Sequence, residues 1–571
     1  MTDFRIEGLA FEADAIEAWR TADPAHDNWP VVYIINSQSE IYVGETVNAA
    51  TRMQQHLAHP GRVHLEQVRI VHNRTFNKSA CLDLESHLIR YFAADEKFTV
   101  LNGNWGISDA DYFQRDKYRA DFDVVFDDLV KKGLLTRPIP EIVNSNLFKY
   151  SPFKALNADQ SAALEGILQK LLENFNKKAS SELVIQGDPG TGKTIVAIFL
   201  AKLLQDIAKP PHGEMVAEDS RFSEFFTEQF QRHLTTFRIG LVIPQQSLRK
   251  TVAHVFSRIP GLEKKMILSP FDVGLSDDSW DLLIVDEAHR LGVRANQASG
   301  MRNRQFRDIN VRLFGADDLT KTQLDWIRSK SSNQILLIDS AQRVKPADLS
   351  KENLDEIVAS SQKRKQFFKL TSQMRVGGGH DYIEFVNRLL SDRPEQAKDF
   401  GAYDVRFFES FSDMKTEIAK RNSEHGLARL LAGYAWEWVS RRNKNVHDIE
   451  IEGHQLFWNR TDVDWVNSPT SADEVGSIHT IQGYDLNYAG VVIGRDLRFD
   501  IEKQRMVLDR QNYFDAKGVE NNRMLGIQFT DEDIRQFVLN IYRVLLTRGI
   551  KGTYVYVVDD ALRAHLRPYF N

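Results

Sequence analysis

Cysteine is nearly absent from this sequence: Cys81 is the single cysteine in 571 residues, so no disulfide can form within the chain. Long hydrophobic runs are absent as well. Apolar runs such as ILLI at residues 335–338 have the length of a β-strand and fall far short of the roughly 18 residues that cross a membrane. The first residues are acidic, where a secretory signal would be basic and then apolar. These absences predict a cytoplasmic protein with no membrane partner.

A strong excess of one charge is also absent. The formal net charge is −6, and hydrophobic and charged residues make up 42% and 27% of the chain, as is typical of folded globular domains. This balance excludes a disordered chain and gives no overall basic surface, so binding to nucleic acid has to use local patches. One such patch lies between Arg290 and Arg312, where six arginines accompany one acidic residue, Asp308. We predict that this segment is a loop that contacts phosphates.

The length predicts three or four domains, at roughly 100 to 200 residues each. From about residue 150 onward, short apolar strands alternate with helical patterns, and the alternation occurs twice, which favours βαβ units with parallel sheets. A smaller α/β segment precedes them and is followed by an acid-rich stretch with a pair of prolines. We therefore predict an α/β fold in four parts: a small α/β domain at residues 1–108, a connector at 109–149, and lobes at 150–370 and 371–571.

A glycine-rich segment, GDPGTGKT, follows the apolar strand LVIQ and precedes a helical pattern. It fits G-x-x-x-x-G-K-[ST], in which backbone N–H groups surround phosphate oxygens. Lys193 is expected to contact the β- and γ-phosphates of ATP, and the Thr194 hydroxyl to bind Mg²⁺. The residues predicted to bind the nucleotide are Gly187, Asp188, Pro189, Gly190, Thr191, Gly192, Lys193 and Thr194.

A second apolar strand, LLIV, ends in Asp286 and Glu287, about 90 residues after the glycine-rich segment. An aspartate at this place is expected to bind Mg²⁺, and a glutamate to orient the attacking water. Taken alone, acidic residues after a strand are as typical of a strand end that faces solvent as of a nucleotide site. Combined with the preceding glycine-rich loop, they predict a site that hydrolyses ATP.

Six segments in order resemble the motifs of superfamily 1 helicases, above all the bacterial helicase-like family related to the Schlafen ATPase domain. They are GDPGTGKT, VDEAHR, IDSAQRVKP, LTSQMR, SIHTIQGYDLNYAGVVIG and YRVLLTRGIKGTYVYV. The resemblance covers residues 150–571 and implies two RecA-like lobes that close on ATP. It further implies that Gln160 reads adenine, that Gln342 senses the γ-phosphate, and that Arg375 and Arg548 are arginine fingers.

The N-terminal segment combines a predicted hairpin, VVYII and IYVG, with two helical patterns that carry polar side chains. Hydrolysis of a phosphodiester needs a base near the attacking water, a cation at the phosphate and a metal near the leaving oxygen. Tyrosine and histidine can handle protons, arginine can hold phosphate, and one carboxylate with phosphate and water suits Mg²⁺. Taken alone, each of these residues is more typical of ordinary packing than of catalysis. The candidates are Tyr33, Tyr42, Arg52, His56 and Glu85.

These residues, followed by Asn102, resemble the GIY-YIG endonuclease domain over residues 28–106. Two positions depart from the family pattern: Val31 replaces its first glycine and Val43 its central isoleucine. The resemblance implies a catalytic set of these six residues with Glu85 as the Mg²⁺ ligand. A degenerate domain that only binds nucleic acid is the alternative.

The hypothesis from the sequence is an ATP-dependent DNA helicase or translocase, coupled to a Mg²⁺-dependent endonuclease, that acts in defence against foreign DNA or in DNA processing. Single-stranded or forked DNA is the expected partner. Two alternatives remain. One is an ATP-gated nucleic-acid sensor with a degenerate nuclease module, and the other is a helicase–nuclease directed at RNA, since the motor motifs do not distinguish the two sugars.

Overall fold

The computed structural model describes residues 4–570 except residues 24–25, 27, 103–111, 154–155, 178, 210–221, 295–296, 298, 340–343, 393, 397–398, 462–463 and 482. The chain forms two compact units. The first comprises Met1–Phe175, Ile195–Phe237 and Val252–Met266. The second comprises Asn176–Thr194, Arg238–Thr251 and Ile267–Asn571. None of the described helices is both long enough and apolar enough to cross a membrane.

The first unit contains a five-stranded sheet in the order β1-β4-β2-β3-β5, antiparallel except where β5 pairs with β3. Its strands are β1 (Arg5–Ala10), β2 (Val31–Asn36), β3 (Glu40–Thr46), β4 (Gln67–His72) and β5 (Thr99–Val100). Its helices, three of which cross a unit boundary, are α1 (Ala13–Ala22), α2 (Ala49–Leu57), α3 (Lys78–Asp95), α4 (Arg115–Lys131), α5 (Ile139–Asn144), α6 (Asn146–Lys149), α7 (Ala158–Lys177), α8 (Lys193–Ala208), α9 (Glu228–Leu234) and α10 (Gln246–Arg258).

The hairpin predicted in the N-terminal segment is present as β2 and β3. All six residues of β2 are buried, as expected for an apolar strand that pairs on both edges and is covered by helices. Helix α3 begins where the Asn77 side chain accepts a hydrogen bond from the Ala80 N–H at 2.9 Å, and it packs on β2 and β3. Tyr33 and Tyr42 lie on the hairpin, Arg52 and His56 on α2, and Glu85 on α3.

The acid-rich stretch predicted as a connector forms helix α4, which packs on α3. Asp83 of α3 accepts hydrogen bonds from Arg119 at 3.0 and 3.1 Å and from the Tyr112 hydroxyl at 2.9 Å. Burial acts to raise the pKa of Asp83, but these donors and His87 outweigh it, so its pKa lies well below the ordinary value. The ionised carboxylate of Asp83 therefore ties α4 to α3.

The second unit begins with a six-stranded sheet of parallel strands in the order β11-β6-β10-β9-β7-β8. Its strands are β6 (Ser181–Gly187), β7 (Ile239–Val242), β8 (Ile267–Leu268), β9 (Trp280–Val285), β10 (Ser331–Ile338) and β11 (Phe367–Leu370). The helices along this part of the chain are α11 (Pro270–Leu275), α12 (Gly300–Phe314), α13 (Gln323–Lys330) and α14 (Lys351–Lys363).

A seven-stranded sheet follows in the order β12-β20-β17-β13-β16-β15-β14, parallel except for β14 with β15, beside a two-stranded β18–β19 hairpin. The strands are β12 (Asp404–Phe408), β13 (Ala428–Ala432), β14 (Ile449–Ile451), β15 (His454–Trp458), β16 (Glu474–Gly476), β17 (Leu486–Ile493), β18 (Leu497–Asp500), β19 (Arg505–Leu508) and β20 (Gly549–Val557). The helices are α15 (Gly379–Leu389), α16 (Phe411–His425), α17 (Ile478–Ile481), α18 (Asp531–Leu546) and α19 (Asp560–Leu566).

The two parallel sheets of the second unit bear out the α/β fold class and are compatible with two RecA-like lobes. In the first of these sheets, β10 lies between β6 and β9, and its register places Ile338 beside Gln186 and Leu336 beside Val285. The carboxyl ends of these three strands therefore meet along one edge. Ligands of open parallel sheets bind at such an edge.

Candidate functional site

The glycine-rich segment forms the turn between β6 and α8, and its lysine folds back onto it. Lys193 Nζ donates hydrogen bonds to the carbonyl oxygens of Gly187 at 2.7 Å and Asp188 at 3.1 Å. It also lies 3.3 Å from a carboxylate oxygen of Asp339, the residue that follows β10. Lys193 and Asp339 are 6% and 2% exposed, so this ammonium group is largely removed from water before any phosphate reaches it.

Thr194 and Asp286 come together as the sequence predicts. The Thr194 hydroxyl donates to Asp286 Oδ2 at 2.7 Å. Burial raises the pKa of Asp286 and the carboxylate of Glu287 adds to the rise, while the Thr194 hydroxyl and the charge of Lys193 oppose it. A hydroxyl and a carboxylate oxygen are the hard donors that Mg²⁺ takes together with phosphate and water, and the pair therefore fits that ion.

Glu287 is held by a histidine that the sequence analysis did not select. The backbone of Glu287 is left-handed, with φ 51°, an uncommon conformation for a residue other than glycine. The Asp339 N–H donates to His289 Nδ1 at 3.1 Å, so the ring proton is on Nε2, which lies 3.0 Å from the Glu287 carboxylate. Burial acts to raise the pKa of Glu287, but His289 and Lys193 hold it well below the ordinary value. The ionised carboxylate can accept a proton or a hydrogen bond from water.

His289 and Asp339, from two neighbouring strand ends, thus connect Glu287 to Lys193: the Asp339 N–H contacts His289, and the Asp339 carboxylate lies beside Lys193. Sequence reasoning placed both residues inside motifs but assigned them no role. The available signal was positional, since each follows an apolar strand of the same predicted parallel sheet.

The LTSQMR segment contacts the glycine-rich turn directly. Gln373 Nε2 donates to the Pro189 carbonyl at 2.6 Å, and the Met374 N–H donates to the Gly190 carbonyl at 2.9 Å. Gly190 has φ +88°, and a Cβ there would lie 2.0 Å from Gln373 Oε1, so both conformation and space require glycine. Arg375 makes an ion pair with Asp485, which lies within the predicted helicase motif at residues 477–494.

The other residues predicted to act on ATP are Arg548, Gln160 and Gln342. Arg548 is 2% exposed, and it donates to the backbone carbonyls of Val544 and Tyr484, each at 3.3 Å. Gln160 belongs to the first unit and is 1% exposed; its N–H donates to Asn157 Oδ1 at 2.8 Å at the start of α7. Gln342 lies outside the described residues.

In the first unit, four of the predicted catalytic residues cluster together with Arg62. The Tyr33 hydroxyl lies 2.8 Å from His56 Nε2 and accepts a hydrogen bond from Arg52 Nε at 3.4 Å. Arg62 donates to His56 Nδ1, and its guanidinium covers the Tyr42 ring at 3.9 Å. Because a guanidinium only donates, Nδ1 accepts and the ring proton is on Nε2, directed at Tyr33.

Burial, with the adjacent guanidinium groups of Arg62 and Arg52, lowers the pKa of His56 to about 2. His56 is therefore neutral at physiological pH. Burial likewise raises the pKa of Tyr33, although the charge of Arg52 opposes the rise. The N–H groups of Arg52 and His56 directed at this oxygen would stabilise the phenolate, the form of Tyr33 that can accept a proton, against the effect of burial.

Glu85 and Asn102 are the other two candidate residues of the first unit. Glu85 lies on α3, half-buried, and its charge acts to raise the pKa of Tyr33. Asn102 accepts a hydrogen bond from the Val43 N–H at 3.1 Å and donates to the Val43 carbonyl at 2.7 Å, which fixes the middle of β3. Across the described part of the chain, no group of three or more His, Cys, Asp or Glu side chains could hold a metal.

Sequence reasoning assigned no role to Arg62 and missed its contact with His56. Its three-residue turn, Pro60–Arg62, begins at His59, whose ring nitrogen accepts from the Gly61 N–H at 3.1 Å. The signal was weak, because a six-residue separation from His56 across a turn gives no periodic pattern.

Gly44 gives a direct test of how tightly Tyr33 is held. A Cβ at Gly44 would lie 2.2 Å from the Tyr33 hydroxyl oxygen, and Tyr33 is 1% exposed, so Gly44→Ala must displace the ring. We expect a decrease of about 1–3 kcal/mol in the free energy of unfolding, measured by urea denaturation. Gly8→Ala is the control, since its nearest atom is 4.0 Å away. Equal stability of the two variants would contradict this close packing.

The arginines between Arg290 and Arg312 do not form the predicted loop. Most of the segment is helix α12, and two of the arginines are used inside the fold: Arg294 pairs with Asp317 at 2.9 Å, and Arg312 donates to the Leu275 carbonyl at 2.9 Å. Arg304 and Arg307 are exposed on α12. The prediction of one six-arginine phosphate loop is therefore wrong, because local ion pairs and carbonyl acceptors were not visible in the sequence.

Comparisons with known proteins relate the chain to a helicase-domain family. A family model described as Schlafen group 3, DNA/RNA helicase domain, matches residues 180–559. An uncharacterized protein of Saccharomyces cerevisiae is 24% identical over 453 residues, which cover 72% of this chain and 90% of the yeast protein. The family match confirms a helicase-like domain. It begins after the N-terminal cluster and gives no support to the nuclease resemblance.

Proposed function

The chain belongs to the Schlafen group 3 DNA/RNA helicase domain family, and from this premise we propose that it is an ATP-dependent DNA helicase or translocase coupled to a Mg²⁺-dependent GIY-YIG-type endonuclease. The observation that carries the motor proposal is the convergence of Lys193, Thr194, Asp286 and Glu287 at one edge of a parallel sheet. Charge for phosphate, ligands for Mg²⁺ and an ionised carboxylate for water meet at that edge.

Lys193 would exchange the carbonyls of its own loop and the Asp339 carboxylate for the β- and γ-phosphates of ATP. Thr194 and Asp286 would hold Mg²⁺, which supplies positive charge to the phosphate oxygens. Glu287, kept ionised by His289, would orient the attacking water and receive its hydrogen bond. The backbone N–H groups of the glycine-rich turn would complete the phosphate site. Each of these roles uses a group that the fold already places there.

For the nuclease we propose that the phenolate form of Tyr33, stabilised by N–H donors of Arg52 and His56, accepts the proton of the attacking water and becomes the neutral phenol. Arg52 and Arg62 would bind the scissile phosphate, and Glu85 would hold one Mg²⁺. The contacts of His56 with Tyr33 and Arg62 support a positioning role for the neutral imidazole. Asn102 supports the site through β3. Tyr42 packs under the Arg62 guanidinium and completes the cluster.

DNA is the substrate we propose, in single-stranded or forked form, and the setting is a reducing cytoplasm, on the ground that Cys81 is the one cysteine of the chain. Defence against foreign DNA is a role proposed by analogy with other motor–nuclease fusions. The decisive experiment measures ATP hydrolysis and cleavage together on single-stranded, duplex and forked DNA and on matched RNA, with Mg²⁺ at one salt concentration. Stimulation by DNA with displacement and cleavage supports the proposal.

Other outcomes of that experiment favour the alternatives. Greater stimulation by RNA than by DNA would make the protein an RNA-directed enzyme, in line with a family described for both nucleic acids. Nucleic-acid binding controlled by ATP, without displacement or cleavage, would make it a sensor with a degenerate nuclease module.

Helix α12 supplies a test of the nucleic-acid surface. We expect that replacing Arg304 and Arg307 together by alanine weakens binding to single-stranded DNA of any sequence, because binding to phosphate does not depend on the base. The slope of log Kobs against log salt is negative, and its magnitude should decrease by about 1.4, at about 0.7 for each phosphate that the variant no longer neutralises. The matched control replaces Lys363 and Arg364, exposed basic residues at the end of α14. An equal change in both double variants would exclude α12 as a specific surface.

A further inference from the structure

The segment that contains Arg375 is attached to the glycine-rich turn by its backbone and by the side chain of Gln373. Gln373 Nε2 donates to the Pro189 carbonyl at 2.6 Å, and its Oε1 accepts from the Arg375 N–H at 2.9 Å. The Met374 N–H donates to the Gly190 carbonyl at 2.9 Å. A Cβ at Gly190 would lie 2.9 Å from the Arg375 Cβ. The Arg375 side chain therefore begins beside the turn that is proposed to bind phosphate.

The other end of the Arg375 side chain is held by a carboxylate. Its Nε forms an ion pair with Asp485, and the two side chains are 17% and 28% exposed. Arginine has a long, flexible stem, and an ion pair that is largely removed from water favours the conformations in which the two charges meet. Asp485 thus selects the direction of a side chain whose first atoms the turn already fixes.

The backbone of Asp485 is fixed in turn through the residues on either side of it. Arg548 Nη1 donates to the Tyr484 carbonyl at 3.3 Å, and the Leu486 N–H donates to the Arg548 carbonyl at 3.1 Å. Arg548 is 2% exposed, and the Tyr484 hydroxyl lies 2.7 Å from the hydroxyl of Thr251. Hydrogen bonds therefore hold the chain both before and after Asp485.

We infer that Asp485 is a positioning residue for Arg375: it holds the guanidinium in the conformation that meets the terminal phosphate of ATP at the glycine-rich turn. Arg548 acts one step further back, by fixing the backbone around Asp485. The inference rests on the proposed ATP site and adds two roles to it. A guanidinium whose direction is set beforehand needs no reorganisation when charge develops on the transferring phosphoryl group. The sequence resemblance implied one catalytic role for both arginines, and their contacts separate them.

A purely structural role for the Asp485–Arg375 ion pair makes a different prediction. If the pair only joins two segments of the second unit, loss of Asp485 should lower stability, and its effect on turnover should add to that of losing Arg375. If Asp485 acts through Arg375, its loss should have no further effect on turnover once the Arg375 guanidinium is gone.

The test measures kcat and KM for ATP in the full-length protein with Mg²⁺ and saturating single-stranded DNA. Arg375→Gln should lower kcat by about 10³-fold, the effect of losing an arginine at the transferring phosphoryl group. Asp485→Asn keeps the size of the side chain and removes its charge, and it should lower kcat about tenfold or more with KM changed less than about twofold. The double variant should be no slower than Arg375→Gln alone. Asp485→Glu, which keeps the charge, should recover part of the rate.

Asp531→Asn, whose carboxylate makes an exposed ion pair with Arg510 at 2.7 Å, is the matched control and should keep the parental kcat. The thermal unfolding midpoint of each variant is measured beside its rate. Asp485→Glu, combined with Arg375→Gln in the same way, takes the place of Asp485→Asn if the latter folds poorly.

A parental kcat in Asp485→Asn, or losses in Asp485→Asn and Arg375→Gln that add in the double variant, would overturn the positioning role and leave the ATP site intact. A parent protein that hydrolyses no ATP, or parental turnover in Lys193→Ala, would overturn the proposed ATP site and the role of Asp485 with it.

Discussion

Replacing Lys193 by alanine is expected to reduce ATP hydrolysis stimulated by nucleic acid by at least about 10²-fold, because removal of one preorganised donor to developing phosphate charge has an effect of this size. The Lys193 ammonium group already lies at the glycine-rich turn, where it donates to the Gly187 and Asp188 carbonyls. The measurement is phosphate release with saturating single-stranded DNA and Mg²⁺.

Lys351→Ala, an exposed lysine at the start of α14, is the matched control and should hydrolyse ATP at the parental rate. Glu287→Gln should retain ATP binding and lose turnover, because the amide keeps its size but no longer orients the water as a carboxylate does. Hydrolysis near the parental rate in Lys193→Ala would reject the site. Full activity of Glu287→Gln alone would keep the phosphate loop and move the water-orienting role to another residue.

Glu85→Gln and Arg52→Ala are each expected to eliminate DNA cleavage and to leave ATP hydrolysis unchanged. The amide in Glu85→Gln keeps the size of the side chain and removes the charge that would hold Mg²⁺. Arg52 Nε lies 3.4 Å from the Tyr33 hydroxyl, so its replacement removes both a donor to this oxygen and the charge proposed for the phosphate. Cleavage of labelled forked DNA and phosphate release are measured in the same samples.

The control for these variants is Glu66→Gln, an exposed carboxylate of the first unit, which should cleave as the parent does. Cleavage that survives Glu85→Gln, or that persists in excess EDTA, would reject the GIY-YIG mechanism. Absence of cleavage by the parent on every DNA form, with and without ATP, would favour the binding-only module that the valine at position 31 already suggested.

Contiguous motifs were predictable because neighbouring residues set their own backbone geometry. GDPGTGKT was correctly placed between β6 and α8, since a strand, a glycine-rich turn and a helix follow one another without help from distant chain. The hairpin of β2 and β3 was likewise found from two apolar runs and a polar turn. The alternation of strands and helices indicated parallel sheets, and two largely parallel sheets are present.

Segments whose structure depends on distant partners were less predictable. The acid-rich stretch read as a connector, but Phe122, Val125, Phe126 and Leu129 are buried in α4, which Asp83 of α3 holds through Arg119. The arginines after the DEAH strand read as one basic loop, yet Arg294 and Arg312 find acceptors within the fold. Composition records the charge of a segment and contains no information about which of those charges are neutralised inside the protein.

The amino-acid sequence alone was enough to place the glycine-rich turn between a strand and a helix, and to indicate the acidic strand end and the α/β class, because each depends on local order along the chain. The partners of those residues were decided by tertiary structure: Asp339 beside Lys193, His289 beside Glu287, and Arg62 on His56. These pairs form between strand ends, or across a turn, where no spacing rule links the two residues. For Glu287 and His56, removal from water makes the pKa depend on the few partners that packing brings to each.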